Sequence, residues 1–464
     1  MRLLNLLVII TLLTGCTVGP DYIRPDIKTP DSWQSSEKKE GLTASWPGTE
    51  WWKDFSDTEL NSLIESALKN NYDIKAAVSR IEQSRAAAKV AGAPMFPSIN
   101  AGMGITREQK ASQAQNNKTT ASQTETTSYA MQSAASYELD IWSKNRMAAA
   151  SSDARIEGSI YDWQGIRLAM TAEVISTYFQ ILGLNDRLEI AGKTVESQKR
   201  IMDIIEKRYR AGMVSGLGLA QAKTNLSSVE ASISAIQQQK EQFKNALAVL
   251  TGKNPGDIKI NGNSIMLVSI PASIPAGLPS GLLERRPDIK KAEAELIAAN
   301  ADIGAAKAAM FPSITLTAQS GYTSQKLSSL INPTSAFYTI GTNLATVIFQ
   351  GSRLSGEHER TKARYEELVY NYHKAVVSAF TDTENALVAV RELGEQEKFY
   401  ADAVINAQKA YDISETQYSH GLVDYTTVLK TEEALLNSRN AQIQARGNKL
   451  TALTGLYKAL GGGW

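Results

Sequence analysis

Cysteine is nearly absent: the 464 residues contain one, Cys16. It cannot close an intramolecular disulfide, so the mature body must fold without one. Histidine is scarce too. His358, His373 and His420 lie too far apart in sequence to suggest a local metal site. Neither sign of charge dominates, with 49 Lys and Arg against 48 Asp and Glu. That balance, without a dense basic stretch, gives no reason to expect nucleic acid. Aromatic residues make up only 7%. Together with abundant Ala, Ser and Gln, this points to thin, long helices rather than a thick globular core. Catalytic patterns are missing as well. There is no His/Asp/Ser or Cys/His constellation, no metal-ligand spacing and no phosphate loop, so neither an enzyme nor a bound cofactor is expected.

What is present begins at the N-terminus. Arg2 followed by the apolar run Leu3 to Leu13 reads as a secretion signal, and the run is too short for a spanning helix. It ends in Leu13-Thr14-Gly15-Cys16, which looks like a bacterial lipobox. Cleavage would leave Cys16 first, ready to carry a covalent lipid. Thr17 stands where lipoproteins held at the inner membrane often carry Asp, which favours the outer membrane. A Pro-, Ser- and Lys-rich stretch to about Pro47 suits an extended tether, with Trp51-Trp52-Lys53-Asp54-Phe55 as its dock.

The body is duplicated. Met95-Phe96-Pro97-Ser98-Ile99 recurs as Met310-Phe311-Pro312-Ser313-Ile314, and residues 77–99 overlay 292–314 without a gap. Asp73-Ile74 matches Asp288-Ile289, Arg146 meets Arg353, and Tyr209, Gly212 and Val214 fall on Tyr418, Gly421 and Val423. Pro97 and Pro312 sit where helical patterns give way to alternation, because proline cannot continue a helix interior. After them Ile99, Ala101, Met103 and Ile105 oppose Asn100, Gly102 and Gly104. Tyr129 to Ile141 alternates likewise, with Gln132, Ser136, Glu138 and Asp140 on the polar side. In the second copy Ile314, Leu316, Tyr338, Ile340 and Leu344 oppose Thr315, Thr317, Thr339, Gly341 and Asn343. A period of two with one apolar face suits half-buried strands of roughly 9–11 residues, with a polar loop from Arg107 to Thr127. If such strands cross a membrane, four cannot close a barrel, whereas three copies would supply about twelve.

Long helices follow each strand pair. The run from about Ser143 to Arg210 would be roughly 100 Å long. Its heptad passes through Ile181, Leu188, Val195, Met202 and Tyr209, with Leu184, Ala191 and Ile205 beside it and Gln198 as a break. The second copy repeats the pattern through Val390, Val404, Tyr411 and Tyr418, broken by Glu397. Glycine-marked turns at Gly212 and Gly421 reverse the chain. The returning helices carry matching seams at Leu226, Val229 and Ile236, then Leu436, Ile443 and Leu450. Arg285-Arg286-Pro287-Asp288 reads as a structural helix start, with both arginines reaching for neighbouring acids. The expected organisation is a signal peptide at 1–15, a lipidated tether at 16–56, a first repeat at 57–252, a connector at 253–279 and a second repeat at 280–464. Strand pairs are expected at about 97–142 and 312–349, and tips near 211–218 and 419–426.

Taken together, the Cys16 lipobox with Val18-Gly19-Pro20-Asp21-Tyr22, the Trp52–Leu60 stretch, Glu284–Ile289, the two Phe-Pro-Ser turns and the two tips resemble the TolC-like outer-membrane efflux proteins, in their lipoprotein branch. The resemblance covers nearly the whole chain. It implies a mainly α protein with a transmembrane β part: a homotrimer with a twelve-stranded barrel in outer-membrane lipid, continued by a helical periplasmic barrel. It also implies a periplasmic adaptor and an inner-membrane pump as partners, with Gly212, Val214, Gly421 and Val423 at the adaptor-contacting tips. Many relatives carry Leu-Asp-Ala-Gln-Arg after the second tip. Here Leu429-Lys430-Thr431-Glu432-Glu433 stands instead, so a periplasmic gate of Asp424, Lys430 and Glu433 would have rearranged polarity. Solvated tip charges are the alternative for these three. For the whole chain the alternatives are a duct for protein or peptide secretion and a pore-free coiled-coil scaffold.

Overall fold

The computed structural model describes residues 17–34, 46–110, 124–262, 264–271, 277 and 279–463. Cys16 and the lipobox lie outside the described residues. In chain order the elements are α1 (Thr58–Asn70), α2 (Tyr72–Gly92), β1 (Ser98–Lys110), β2 (Thr124–Leu139), α3 (Lys144–Arg210) and α4 (Gly216–Thr251). Then come α5 (Pro287–Ala308), β3 (Ser313–Ser324), β4 (Ala336–Ala345), α6 (Arg353–Ser419) and α7 (Tyr425–Ala459). The strands are longer than the alternation indicated. β1 runs to Lys110 and β2 starts at Thr124, so both ends of the polar 107–127 stretch are strand. Backbone pairing between Arg107 and Thr127 continues where side-chain alternation fades.

The chain divides into two compact units. One takes in the residues up to Pro25 with Ile81–Gly158 and Ala292–Tyr372; the other takes in Asp26–Arg80, Ser159–Lys291 and His373–Trp464.

The first unit holds the sheet, antiparallel in the order β1-β2-β3-β4. It also explains the Gly19-Pro20 motif. A Cβ on Gly19 would lie 2.7 Å from the Cα of Gly304 in α5, so the tether crosses the helix backbone to backbone. Asn300 fixes the crossing by donating to the Pro20 carbonyl at 2.8 Å, and Arg24 pairs with Glu293 of the same helix at 2.8 Å.

The second unit contains the apolar core. Trp51, Trp52 and Phe55 are buried among Leu60, Ile64, Ile175, Phe179 and Tyr457. Trp51 stacks on Tyr457 at 4.7 Å and Phe55 meets Phe179 edge-on at 5.2 Å. Asp57 caps α1 by accepting from the Leu60 amide, and its other oxygen accepts the Tyr178 hydroxyl at 2.8 Å. The α3–α4 seam packs Leu184, Ala191 and Val195 against Leu226, Val229 and Ile236. Tyr209, at the end of the heptad row, is exposed instead.

The duplication is visible in detail. Asn71, just before α2, donates to the Leu250 carbonyl at 2.9 Å; Arg286, just before α5, donates to the Ala459 carbonyl at 3.1 Å. Gly252 and Gly461 both take positive φ, and a Cβ on either would strike the backbone of Asn70 or Arg285 respectively. The long helices α3 and α6 each have 67 residues, and each follows a left-handed serine, Ser143 or Ser352. Lys144 is therefore the counterpart of Arg353, and the match of Arg146 to Arg353 is two residues out. Arg286 also pairs with Asp288 at 2.7 Å and Asp382 at 3.0 Å, as a structural helix start requires. The Arg285 guanidinium lies over the Trp46 ring at 5.0 Å.

Candidate functional site: an apolar sheet face and two helical tips

The sheet register sorts the side chains by face. Ile99, Ala135, Ala318 and Ile340 lie in one row across the four strands. Ala101, Ser133, Ser320 and Tyr338 make the next, followed by Met103, Met131, Tyr322 and Ala336. The opposite face carries Asn100, Ala134, Gln319 and Thr339, with Ser98, Ser136, Thr317 and Gly341 beside them. A side-chain hydrogen bond of 2.6 Å joins Gln319 to Gln132 on that polar face. The apolar face has no cover in the single chain. Met103 is 75% exposed and Ile340 is 79% exposed, far from what an aqueous protein tolerates in a contiguous patch. Among the described residues both outer strands, β1 and β4, are paired on one side only.

Where strands meet helices, the Trp142 indole donates to the Pro312 carbonyl at 2.8 Å and its ring packs 4.9 Å from Phe311. Phe96 is exposed at the equivalent turn. Asp140 is not a strand residue facing the polar side. It lies past β2 and caps α3, accepting from the amides of Asn145 and Arg146, both at 2.9 Å. Glu138 does stay on the strand, paired with Lys144 at 2.5 Å.

The tips share one geometry. The Gly212 amide bonds to Tyr209 and the Met213 amide to Arg208; Gly421 bonds to Tyr418 and Leu422 to Gln417. These are paired closures of a helix end around a left-handed glycine, at φ 71° and 74°. Val214 and Val423 point inward, half-buried against a cluster of Ile201, Ile205, Ala222, Tyr418, Tyr425 and Val428 that joins both hairpins. Met213 (70% exposed) and Leu422 (74%) face outward from the two turns, and Leu217 (67%) lies just past the first; the glycine signal alone does not single them out.

Asp424 caps α7, accepting the Thr427 amide at 2.9 Å and its hydroxyl at 2.8 Å. Hydrogen bonds from Thr426 and Thr427 hold its carboxyl below the usual range, with a smaller contribution from the Lys430 charge. Lys430 and Glu433 are exposed on α7. Among the described residues no ion pair joins Lys430 to Asp424 or Glu433 within one chain.

The heptad breaks acquire partners. Glu397 of α6 sits between Arg446 (3.0 Å) and Lys449 (2.7 Å) of α7. Gln198 of α3 donates to Glu432 of α7 at 3.3 Å. Glu432 is only 6% exposed, and burial raises its pKa. Its neighbour Glu433 is exposed, and nothing in the one-dimensional pattern marks which of the two adjacent acids faces inward.

The profile of the outer membrane efflux protein family matches residues 63–253 and 278–462. The chain belongs to the outer membrane efflux protein family. The pyoverdine export outer membrane protein OpmQ of Pseudomonas aeruginosa is 34% identical, over 100% of this chain and 97% of its own length. The probable outer membrane lipoprotein SilC of Salmonella typhimurium is 30% identical, over 98% of this chain and 97% of its own. Among solved structures, the CmeC outer membrane channel of Campylobacter jejuni superposes with a TM-score of 0.91 at 27% identity, covering 97% of this chain and 95% of that one. The protein is thus an outer-membrane efflux channel by family. Its role is transport rather than catalysis.

Proposed function

We propose that three copies of this chain close a twelve-stranded barrel in the outer membrane and form the exit duct of a tripartite efflux pump. The duct passively conducts small toxic compounds or drugs, received from a periplasmic adaptor and an inner-membrane pump. Lipid on Cys16 adds an anchor. One observation carries this reading: an apolar sheet face without cover, bounded by two strands with free edges. In lipid an unpaired edge costs several kcal/mol per backbone group, so the edges must meet those of other copies. The same face argues against a pore-free scaffold, and the export role in the name of OpmQ sides with small cargo over protein secretion.

The test is the mass of the detergent-extracted mature protein by light scattering, corrected for bound detergent. A trimer is expected; a monomer stable in several mild detergents would overturn the reading.

Asp424, Lys430 and Glu433 are assigned to the closed constriction, where threefold repetition turns each into a ring of like charge. Their exposure in the single chain leaves them available for contacts around the axis. The triple neutralised variant, Asp424→Asn with Lys430→Gln and Glu433→Gln, is expected to change resting pore conductance about tenfold, the effect of roughly 1.4 kcal/mol. Unchanged conductance in planar bilayers removes the assignment.

A further inference from the structure

We propose that Glu432 and Gln198 form a proton-operated latch that ties α7 of the second hairpin to α3 of the first. Its geometry stands on the single chain, whereas its effect on conduction rests on the duct reading above.

Both side chains are more than nine-tenths buried. Gln198 Nε2 donates to one Glu432 oxygen at 3.3 Å, while Gln198 Oε1 is buried with no hydrogen-bond partner among the described residues. A buried acceptor left unpaired costs about 1–3 kcal/mol, so such an atom calls for a donor. Glu432, already bonded to the other end of the same amide, gains a donor when it takes up a proton. When protonated, its hydroxyl can turn to Gln198 Oε1 while its other oxygen keeps the Nε2 bond. The two side chains then close a ring of two hydrogen bonds across the helix interface. When ionised, the carboxylate offers only acceptors, and Oε1 stays unpaired beside a buried negative charge.

The surroundings bear on that choice from every packed element. From α3, Ser197 donates toward Glu432 and Arg200 favours the ionised form. From α6, Glu415 opposes ionisation, and the Tyr411 hydroxyl is engaged with Ser197 at 2.9 Å. On α7 itself Tyr425 lies close, its hydroxyl bonded to Asn225 of α4. Glu230 of α4 is paired with Lys199 at 3.1 Å. Desolvation is the largest influence on Glu432 and acts in the same direction as Glu415, toward the protonated form.

The sign follows from linkage. The closed packing holds the proton more tightly than an opened one does. The latch is therefore fully made below the ordinary carboxylate range and weakens as pH rises through the raised pKa. Since α7 also carries Lys430 and Glu433, acid would hold the tips shut and neutral pH would release them.

Glu432→Gln tests this, because the amide is isosteric, always neutral and always able to donate to Oε1. In planar bilayers the wild-type full-length protein should conduct about tenfold more at pH 8 than at pH 4. The Glu432→Gln variant should stay at the low acid level throughout. Hydrogen exchange of the amides flanking residues 198 and 432, corrected for intrinsic rates, provides a readout independent of conduction. Protection should fall with pH in the wild type and stay high in the variant. A variant that keeps the wild-type pH profile in both measurements overturns the latch. Absence of conductance from both proteins overturns the duct reading instead, and exchange alone then decides the latch.

Discussion

Ile340→Arg is expected to abolish the membrane-inserted trimer, whereas Thr339→Arg, one residue away, leaves it assembled. Ile340 lies mid-strand on the apolar face, in the row with Ile99, Ala135 and Ala318. An arginine on the lipid face of a barrel near the bilayer midplane costs about 2–4 kcal/mol, and a trimer incurs it three times. Thr339 lies on the polar face in the row with Gln319 and Asn100, where an added charge would meet a water-filled lumen. The check is trimer yield in outer-membrane extracts, with bilayer ion selectivity for Thr339→Arg, which should shift toward anions. Equal assembly of both variants would mean that the faces are assigned wrongly.

Glu397→Ala is expected to lower stability by about 3 kcal/mol, the range for removing one partner of a buried ion pair. It would leave Arg446 and Lys449, largely buried, facing each other without an anion. Arg446 would still donate to the Val268 carbonyl at 2.6 Å, so the connector would stay attached and the loss would fall on the α6–α7 seam. The effect should depend on pH. Burial alone would raise the Glu397 pKa, but the Lys449 hydrogen bond and the charges of Arg446 and Lys449 outweigh it and hold it below the usual range. A depressed folded pKa contributes stability that is present above the ordinary carboxylate pKa and lost as pH falls through the folded value. Thermal melting should therefore separate wild type from variant at neutral pH and bring them together in strong acid. A gap that persists in strong acid would show that Glu397 acts through packing rather than charge.

Much of this protein is legible in one dimension because its elements are long and periodic. A strand that is apolar on one side repeats every two residues, and a helix seam repeats every three and four. Both periods survive without knowledge of any partner. The duplication doubled that signal, placing both Phe-Pro-Ser turns and both tip glycines. The misplacements came where periodicity stops. The polar ends of β1 and β2 are held by backbone pairing that side-chain alternation does not record. Asp140 shares the parity of the polar face, yet it lies beyond the strand, and its carboxylate caps a helix.

The kind of object is written in one dimension: a duplicated chain of long helices and four amphipathic strands, too few to close. Local rules suffice for that, since period, proline and glycine act within a few residues. Which polar residues are buried together depends on packing between distant segments. Gln198 and Glu397 appear in the sequence as flaws in a heptad. Their partners Glu432, Arg446 and Lys449 lie on another helix, far along the chain, and become neighbours only once α7 packs back. A buried charge is set by what surrounds it in space. That is why the outward face of Glu433 and the inward face of Glu432, adjacent in sequence, could be told apart only in the fold.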